Sequence, residues 1–342
     1  MDKNKRVLKD IVMLQSFAIF LVVLGHSFPE KNMPQQIMWI RQFIYSFHMP
    51  MFMAISGYLF IYSDGIKGSY LKFIKMKTIR LLIPYATLSS LAFVPKAMLS
   101  KLARRPVELS FSAFVHNLIY PWDNAILFFW FLPTLFLIFV MSYLFIKSLS
   151  NRISIIILTI ILLVLNLFHP LDRIQVLNLS GVGFYLVYFW IGCIMAHYKK
   201  FTDMFFSNKF TFIVCSLGLI GCNITSLDAG SFKFFVSIIG IVMSFSLAKI
   251  LEKYDCKLFN IINGFSYQIY LLSWFFQTFF VTILYNIMHL NYFVSLLFML
   301  FGGLFLPVIL AKLTTEFIPI FNIFIGFKYK RKFIQNNSNI AQ

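Results

Sequence analysis

Residues 292–311 read YFVSLLFMLFGGLFLPVILA, twenty residues without a charge. At a rise of about 1.5 Å per residue, a helix over this run is about 30 Å long, the thickness of the hydrocarbon core of a bilayer. The run extends to 291–313, and nine more apolar segments precede it, near residues 11–27, 43–62, 79–95, 125–146, 153–168, 181–198, 210–226, 232–250 and 265–287. The fold class expected is all-α, a polytopic membrane protein of about ten transmembrane helices. Composition points the same way, with 60% hydrophobic and 12% charged residues, against about 25% charged residues in soluble domains. A water-soluble fold of 342 residues has too little interior to hide so much apolar surface. Pro50, Pro84, Pro133 and Pro307 interrupt apolar runs. Such breaks are tolerated at membrane depth where the freed backbone lines a cavity or is covered by neighbouring helices.

The net charge of +18 invites a nucleic-acid partner, but the basic residues are spread over short loops between apolar runs, which is a topology signal instead. Counted with the N-terminus in the cytoplasm, 22 of the 30 Lys and Arg fall in inner segments and 8 in outer ones. The bias predicts that both ends are cytoplasmic, in agreement with an even number of spans, and makes the bilayer the expected partner in place of nucleic acid. The first run follows Lys3, Lys5, Arg6 and Lys9 but lacks a small-residue cleavage site, so it reads as an uncleaved first helix. No repeat, second domain or low-complexity linker is visible. Residues 1–342 read as one domain, with 314–342 as a cytoplasmic tail that is basic from Lys328 on. Cys193, Cys215, Cys222 and Cys256 follow no ligand or redox spacing, so no disulfide and no metal site is expected.

Polar and ionisable groups within such segments are costly and mark candidate sites. His26 ends the first run, and Gln15 precedes it by eleven residues, which places both on one helical face about 16 Å apart. His48, in FHMPMF at 47–52, is expected at the mouth of the same cavity, because Pro50 breaks the entry of the second span. Ser56 and Gly57 then permit close helix approach. A hydrogen-bonded helix-end histidine and a helix-capping histidine are the plainer readings of these two. Lys72, Lys75, Lys77 and Arg80 precede LLIPY at 81–85. Inner-leaflet topology accounts for most of them, while Lys77 and Arg80, nearest the helix break, are candidates to meet an anionic cytoplasmic ligand. Trp130, beside Pro133, and Asp123 in the preceding outer loop are candidate substrate contacts, against the plainer readings of an interfacial anchor and a solvated carboxylate. Ser266, Tyr270 and Ser273 recur at i, i+4 and i+7, which suits a polar interior face or simple interhelical bonding.

In order and spacing, the segments AIFLVVLGHS at 18–27, FHMPMFMAISGYLF at 47–60, RLLIPY at 80–85, WFLPTLF at 130–136 and SYQIYLL at 266–272 resemble the integral-membrane acyltransferase 3 family, which includes O-acetyltransferases of bacterial surface polysaccharides. The resemblance covers nearly the whole chain. It implies a bacterial cell-membrane enzyme with acetyl-CoA as donor and a polysaccharide or lipid-linked sugar as acceptor. His26 matches the family's catalytic histidine, with His48 as a second catalytic candidate. The acyl donor would meet Gln15, Lys77 and Arg80, and the acceptor would meet Arg41, Asp123, Trp130, Tyr270 and Ser273. Two positions depart from the family pattern. Gln15 stands where a cation is usual, which leaves Arg41 or Arg80 to supply the charge, and Ser273 stands where a histidine often follows the IYL segment. Either role of His26, as base or as acyl carrier, needs a neutral imidazole. Two other readings stay open, an exporter of polysaccharide or lipid-linked sugar and a degenerate member with a binding role.

Overall fold

A chain surrounded by lipid must satisfy its backbone hydrogen bonds within each segment, and the apolar runs of this sequence do so as helices. The structure, a computed structural model, describes residues 9–63, 69–98, 100, 106–227, 230–254 and 257–326, and no strand occurs among them. In chain order the helices are α1 (Lys9–His26), α2 (Gln35–Tyr45), α3 (His48–Tyr62), α4 (Tyr70–Lys77), α5 (Ile83–Met98), α6 (Phe111–Ile119), α7 (Phe131–Phe145), α8 (Arg152–Phe168), α9 (Leu179–His197), α10 (Lys199–Phe206), α11 (Lys209–Ile224), α12 (Lys233–Leu251), α13 (Lys257–Ile262), α14 (Ser266–Phe280) and α15 (Tyr292–Phe317).

Eight helical stretches are long and apolar enough to cross a membrane, and α10 with α11, bent by 75°, makes a ninth if the pair is one span. α8 is apolar but only 17 residues long. A helix occupies the place of each of the ten segments read from the sequence, with three differences in outline. The second segment starts at Gln35 and is split at Ser46–Phe47. The third starts at Tyr70 rather than near 79. The seventh is preceded by α10 at a sharp angle rather than by a loop. The expected tail from residue 314 is folded in part. α15 runs to Phe317, and Ile325 is buried with its carbonyl accepting from Gln268 Nε2 at 3.2 Å. Lys3, Lys5, Arg6, Cys256 and the basic run from Lys328 lie outside the described residues.

The spans alternate in direction, so the bundle has a Lys9 end and a His26 end. At the Lys9 end, Lys249 of α12 pairs with Asp10 of α1 and, at 3.0 Å, with Asp203 of α10. At the His26 end, the Tyr285 hydroxyl donates to the Lys31 carbonyl at 2.6 Å.

Small residues set the tightest seam. A Cβ on Gly57 of α3 would lie 1.9 Å from the Phe189 carbonyl oxygen of α9, and one on Gly192 of α9 would lie 1.9 Å from the Ala54 carbonyl oxygen of α3. Glycine at both positions lets the two backbones touch, as close-packed membrane helices require. Ser56, by contrast, bonds within its own helix to the Phe52 carbonyl.

The prolines are accommodated by hydroxyls from other helices. An unbroken helix would pair the Ser46 carbonyl with the N–H of residue 50, but Pro50 has none, and Ser237 Oγ donates to that carbonyl at 3.0 Å. Pro84 likewise has no N–H for the Arg80 carbonyl. There the chain widens into a π turn over Thr78–Leu82, and the Tyr267 hydroxyl donates to the Arg80 carbonyl instead.

Candidate active site

His26 is the last residue of α1 and is half-buried. Its ring lies 5.9 Å from that of Tyr45 in α2 and 4.9 Å from that of Phe128. Tyr45 Oη is 3.1 Å from the Gly25 carbonyl oxygen and 3.4 Å from His26 Nδ1. The phenol has one proton to give, and the carbonyl can only accept it. Toward the imidazole, Tyr45 is therefore an acceptor, which assigns the hydrogen to Nδ1 and leaves a lone pair on Nε2. Gly25 makes this contact possible, because a Cβ there would stand 2.7 Å from the Tyr45 ring.

His48 is buried in the first turn of α3, and its ring is 4.9 Å from that of Tyr45. Its Nδ1 lies 2.9 Å from the Ile44 carbonyl oxygen. This is the capping role at a broken helix entry, and it too fixes the proton on Nδ1 and leaves Nε2 as an acceptor. The structure thus gathers His26 and His48 around one tyrosine.

One helix far along the chain, α14, fixes this corner. Gln277 of α14 is buried, and its Nε2 donates to the Val23 carbonyl and to Ser27 Oγ, both at 2.9 Å. One and two turns earlier on the same face stand Ser273 and Tyr270. Tyr270 is buried among Phe128, Phe129 and Phe131, and its hydroxyl donates to the Phe128 carbonyl at 2.6 Å, so it holds the turn that presses Phe128 onto His26. Ser273 is buried, and its hydroxyl has no partner among the described residues. Of the periodic hydroxyls, that of Tyr270 serves bonding to another segment, while Ser266 is half-buried at the start of the helix. Gln277, Tyr45 and Phe128 are members of the corner that the sequence reading passed over. Gln277 carried a signal in that reading: a lone amide four residues after Ser273 on the same helical face.

Trp130 is buried between Trp122, at 5.0 Å and 16°, and Tyr185, at 5.1 Å and 23°. It and Phe128 belong to one short turn, Leu127–Trp130. Asp123 is exposed and pairs with His116 Nε2 at 2.9 Å, away from His26. It does orient a histidine, one that the sequence reading did not single out. Arg41 lies at the His26 end, with Nη2 2.9 Å from Glu30 Oε1 and its guanidinium 5.1 Å from the centre of the Tyr45 ring. Gln15 is half-buried on α1 about 16 Å from His26, so Arg41 stands at the wrong end of the helix to replace a cation there. Arg80 is exposed toward the Lys9 end, with its guanidinium 5.6 Å from the centre of the Tyr267 ring. Lys77 sits one helical turn before it, its Nζ 3.4 Å from the centre of the Phe139 ring.

The arrangement offers two imidazole lone pairs, on Nε2 of His26 and of His48, in an aromatic corner at one end of the bundle and cationic groups toward the other. It can deprotonate a hydroxyl at the first end and meet an anion at the second. No curated protein and no solved structure matches the chain. A family model described as "Acyltransferase domain" matches residues 9–312, and the chain is accordingly a multi-pass membrane acyltransferase belonging to the acyltransferase 3 family.

Proposed function

We propose that this acyltransferase moves an acetyl group from cytoplasmic acetyl-CoA to a hydroxyl of a bacterial surface polysaccharide or its lipid-linked precursor, in a cell membrane where the Lys9 end faces the cytoplasm. The observation that carries the reading is His26, with Nδ1 engaged by Tyr45 and Nε2 bearing the lone pair. In this reading the sugar hydroxyl loses its proton to His26 Nε2 as its oxygen attacks the thioester carbonyl. The new C–O bond forms, the C–S bond breaks, and the proton passes from His26 to the departing thiolate. Arg80 and Lys77 suit the phosphates of the donor, and the unpartnered hydroxyl of Ser273 suits a polar atom of the acyl group entering between Tyr270 and Gln277.

The first test is proton NMR of surface polysaccharide from cells with and without the protein. O-acetyl methyl signals that mild base removes, and that disappear with the protein, are the expected result. A polymer that is unmodified in both strains but less abundant at the surface in the second would point to export instead.

Tyr45 gives a finer prediction. Tyr45→Phe keeps the ring but removes the hydroxyl that orients the imidazole. A hydrogen bond of this kind is worth about 1 kcal/mol, so kcat for acetyl transfer is expected to fall by roughly five- to tenfold. The KM for the donor should stay constant, as steady-state kinetics in nanodiscs would show.

A further inference from the structure

A second cavity, of about 560 Å³, opens at the His26 end among the ends of α8, α9 and α12. Its size lies in the range of about 300–1,000 Å³ usual for small-molecule sites. The walls are of two kinds. Trp122 and Tyr185 supply flat apolar surface, braced by Trp130 stacked between them. Around these sit the carboxylate of Asp172, the ammonium of Lys233, the imidazole of His169 and the amide of Asn178. Asn178 is fully buried and held by Trp122 Nε1 at 2.8 Å and by Thr134 at 2.6 Å. His169, Leu177 and Asn178 all adopt positive φ, at 47°, 49° and 58°. Such backbone persists only where its surroundings hold it in place. The rim is thus a fixed shape.

The chemistry of these walls selects among ligands. A lipid tail needs a continuous apolar groove, which the four polar groups interrupt. A phosphate is repelled by Asp172. A pyranose ring presents a flat C–H face and a rim of hydroxyls that both donate and accept. That pattern matches an aromatic floor ringed by a carboxylate, an imidazole and an ammonium.

One turn links the cavity to the catalytic corner. Leu127–Trp130 presses Phe128 against His26 and stacks Trp130 behind the lining residues Trp122 and Tyr185. At about 2 Å of rise per residue, these two positions are on the order of 5 Å apart along the backbone. We infer that this cavity is a glycan subsite, holding a sugar ring of the acceptor chain beside the ring that is acylated at His26. The inference rests on the reading of the chain as a transferase to sugar hydroxyls.

The test uses the full chain in phosphatidylcholine nanodiscs. The probe is surface polysaccharide from cells that make the protein, freed of esters by mild base and cut to oligosaccharides. Binding is followed through tryptophan fluorescence without donor. A saturable change is expected, weakened at least tenfold when Asp172→Ala and Lys233→Ala are combined. Absence of a saturable change, an affinity in the double variant within twofold of the parent, or displacement by glycerophosphate would each overturn the subsite; the last would identify a lipid headgroup. Acetyl transfer to the same oligosaccharides separates this result from the transferase reading. Binding as expected with no ester formed from acetyl-CoA leaves the subsite standing and removes the transferase reading. Ester formed with the same acceptor KM in parent and double variant does the reverse.

Discussion

His26→Ala is expected to lower acetyl transfer by about 10²- to 10⁴-fold, the usual contribution of a positioned general base, while the protein still inserts and purifies as the parent does. The expectation follows from the position of the ring. His26 ends α1, and the bonds that hold this corner do not depend on its imidazole: Gln277 binds the Val23 carbonyl and Ser27, and Tyr45 binds the Gly25 carbonyl. Removing the ring leaves those bonds in place. The measurement is ester formation in nanodiscs, with size exclusion as the control for folding. His26→Gln refines it, since the amide can still hydrogen-bond to Tyr45 but cannot carry the proton of a hydroxyl at neutral pH. It should be as inactive as the alanine variant. Transfer within tenfold of the parent in either variant would remove His26 from the chemistry.

The largest effect on stability is expected at the α3–α9 seam. Gly192→Ala places a methyl 1.9 Å from the Ala54 carbonyl oxygen and 2.7 Å from its carbon. Gly57→Ala meets the Phe189 carbonyl in the same way. Overpacking against side chains costs about 1–3 kcal/mol because side chains can turn aside. Here the obstacle is backbone on both helices, so each substitution should reach or exceed the top of that range, and the two together should leave little monodisperse protein in detergent. Gly221→Ala is the internal control. Beyond the backbone of its own helix, no atom lies within 4 Å of where its Cβ would be, so its melting temperature should match or slightly exceed the parent's. Equal melting of Gly192→Ala and Gly221→Ala would mean that the two backbones are not in contact.

What was legible beforehand divides along a physical line. A membrane helix announces itself locally, in about twenty apolar residues, and so all ten segments could be placed. The pairing of His26 with His48 was also within reach, since one short connection joins their helices. The partners that fix the corner come from far away in sequence. Gln277 reaches Val23 across 254 positions, and Tyr270 holds Phe128 across 142. Nothing local to either residue states that distance. Arg41 shows the same limit from the other side: a cation near the first helix looked able to serve Gln15, and only the helix direction rules it out. The 75° bend between α10 and α11 was hidden because α10, KKFTDMFF, carries three charges in eight residues and reads as a loop before the apolar run, and neither Pro nor a Gly pair marks the join. The second cavity was invisible for a related reason, being assembled from three separate loops and helix ends.

The two prolines described above carry a consequence for how this sequence can drift. Ser237 and Tyr267 are needed as donors because residues 50 and 84 cannot be. An ordinary residue at 50 or 84 would bring back an amide for the same carbonyl and make the distant hydroxyl redundant. Loss of the hydroxyl alone would strand a carbonyl, and at the buried Ser46 no water competes for it. Each proline and its hydroxyl therefore form an epistatic pair, Pro50 with Ser237 and Pro84 with Tyr267. Inheritance should treat each pair as one character: permissive changes come first at the proline, and the serine or tyrosine is released to vary only afterwards.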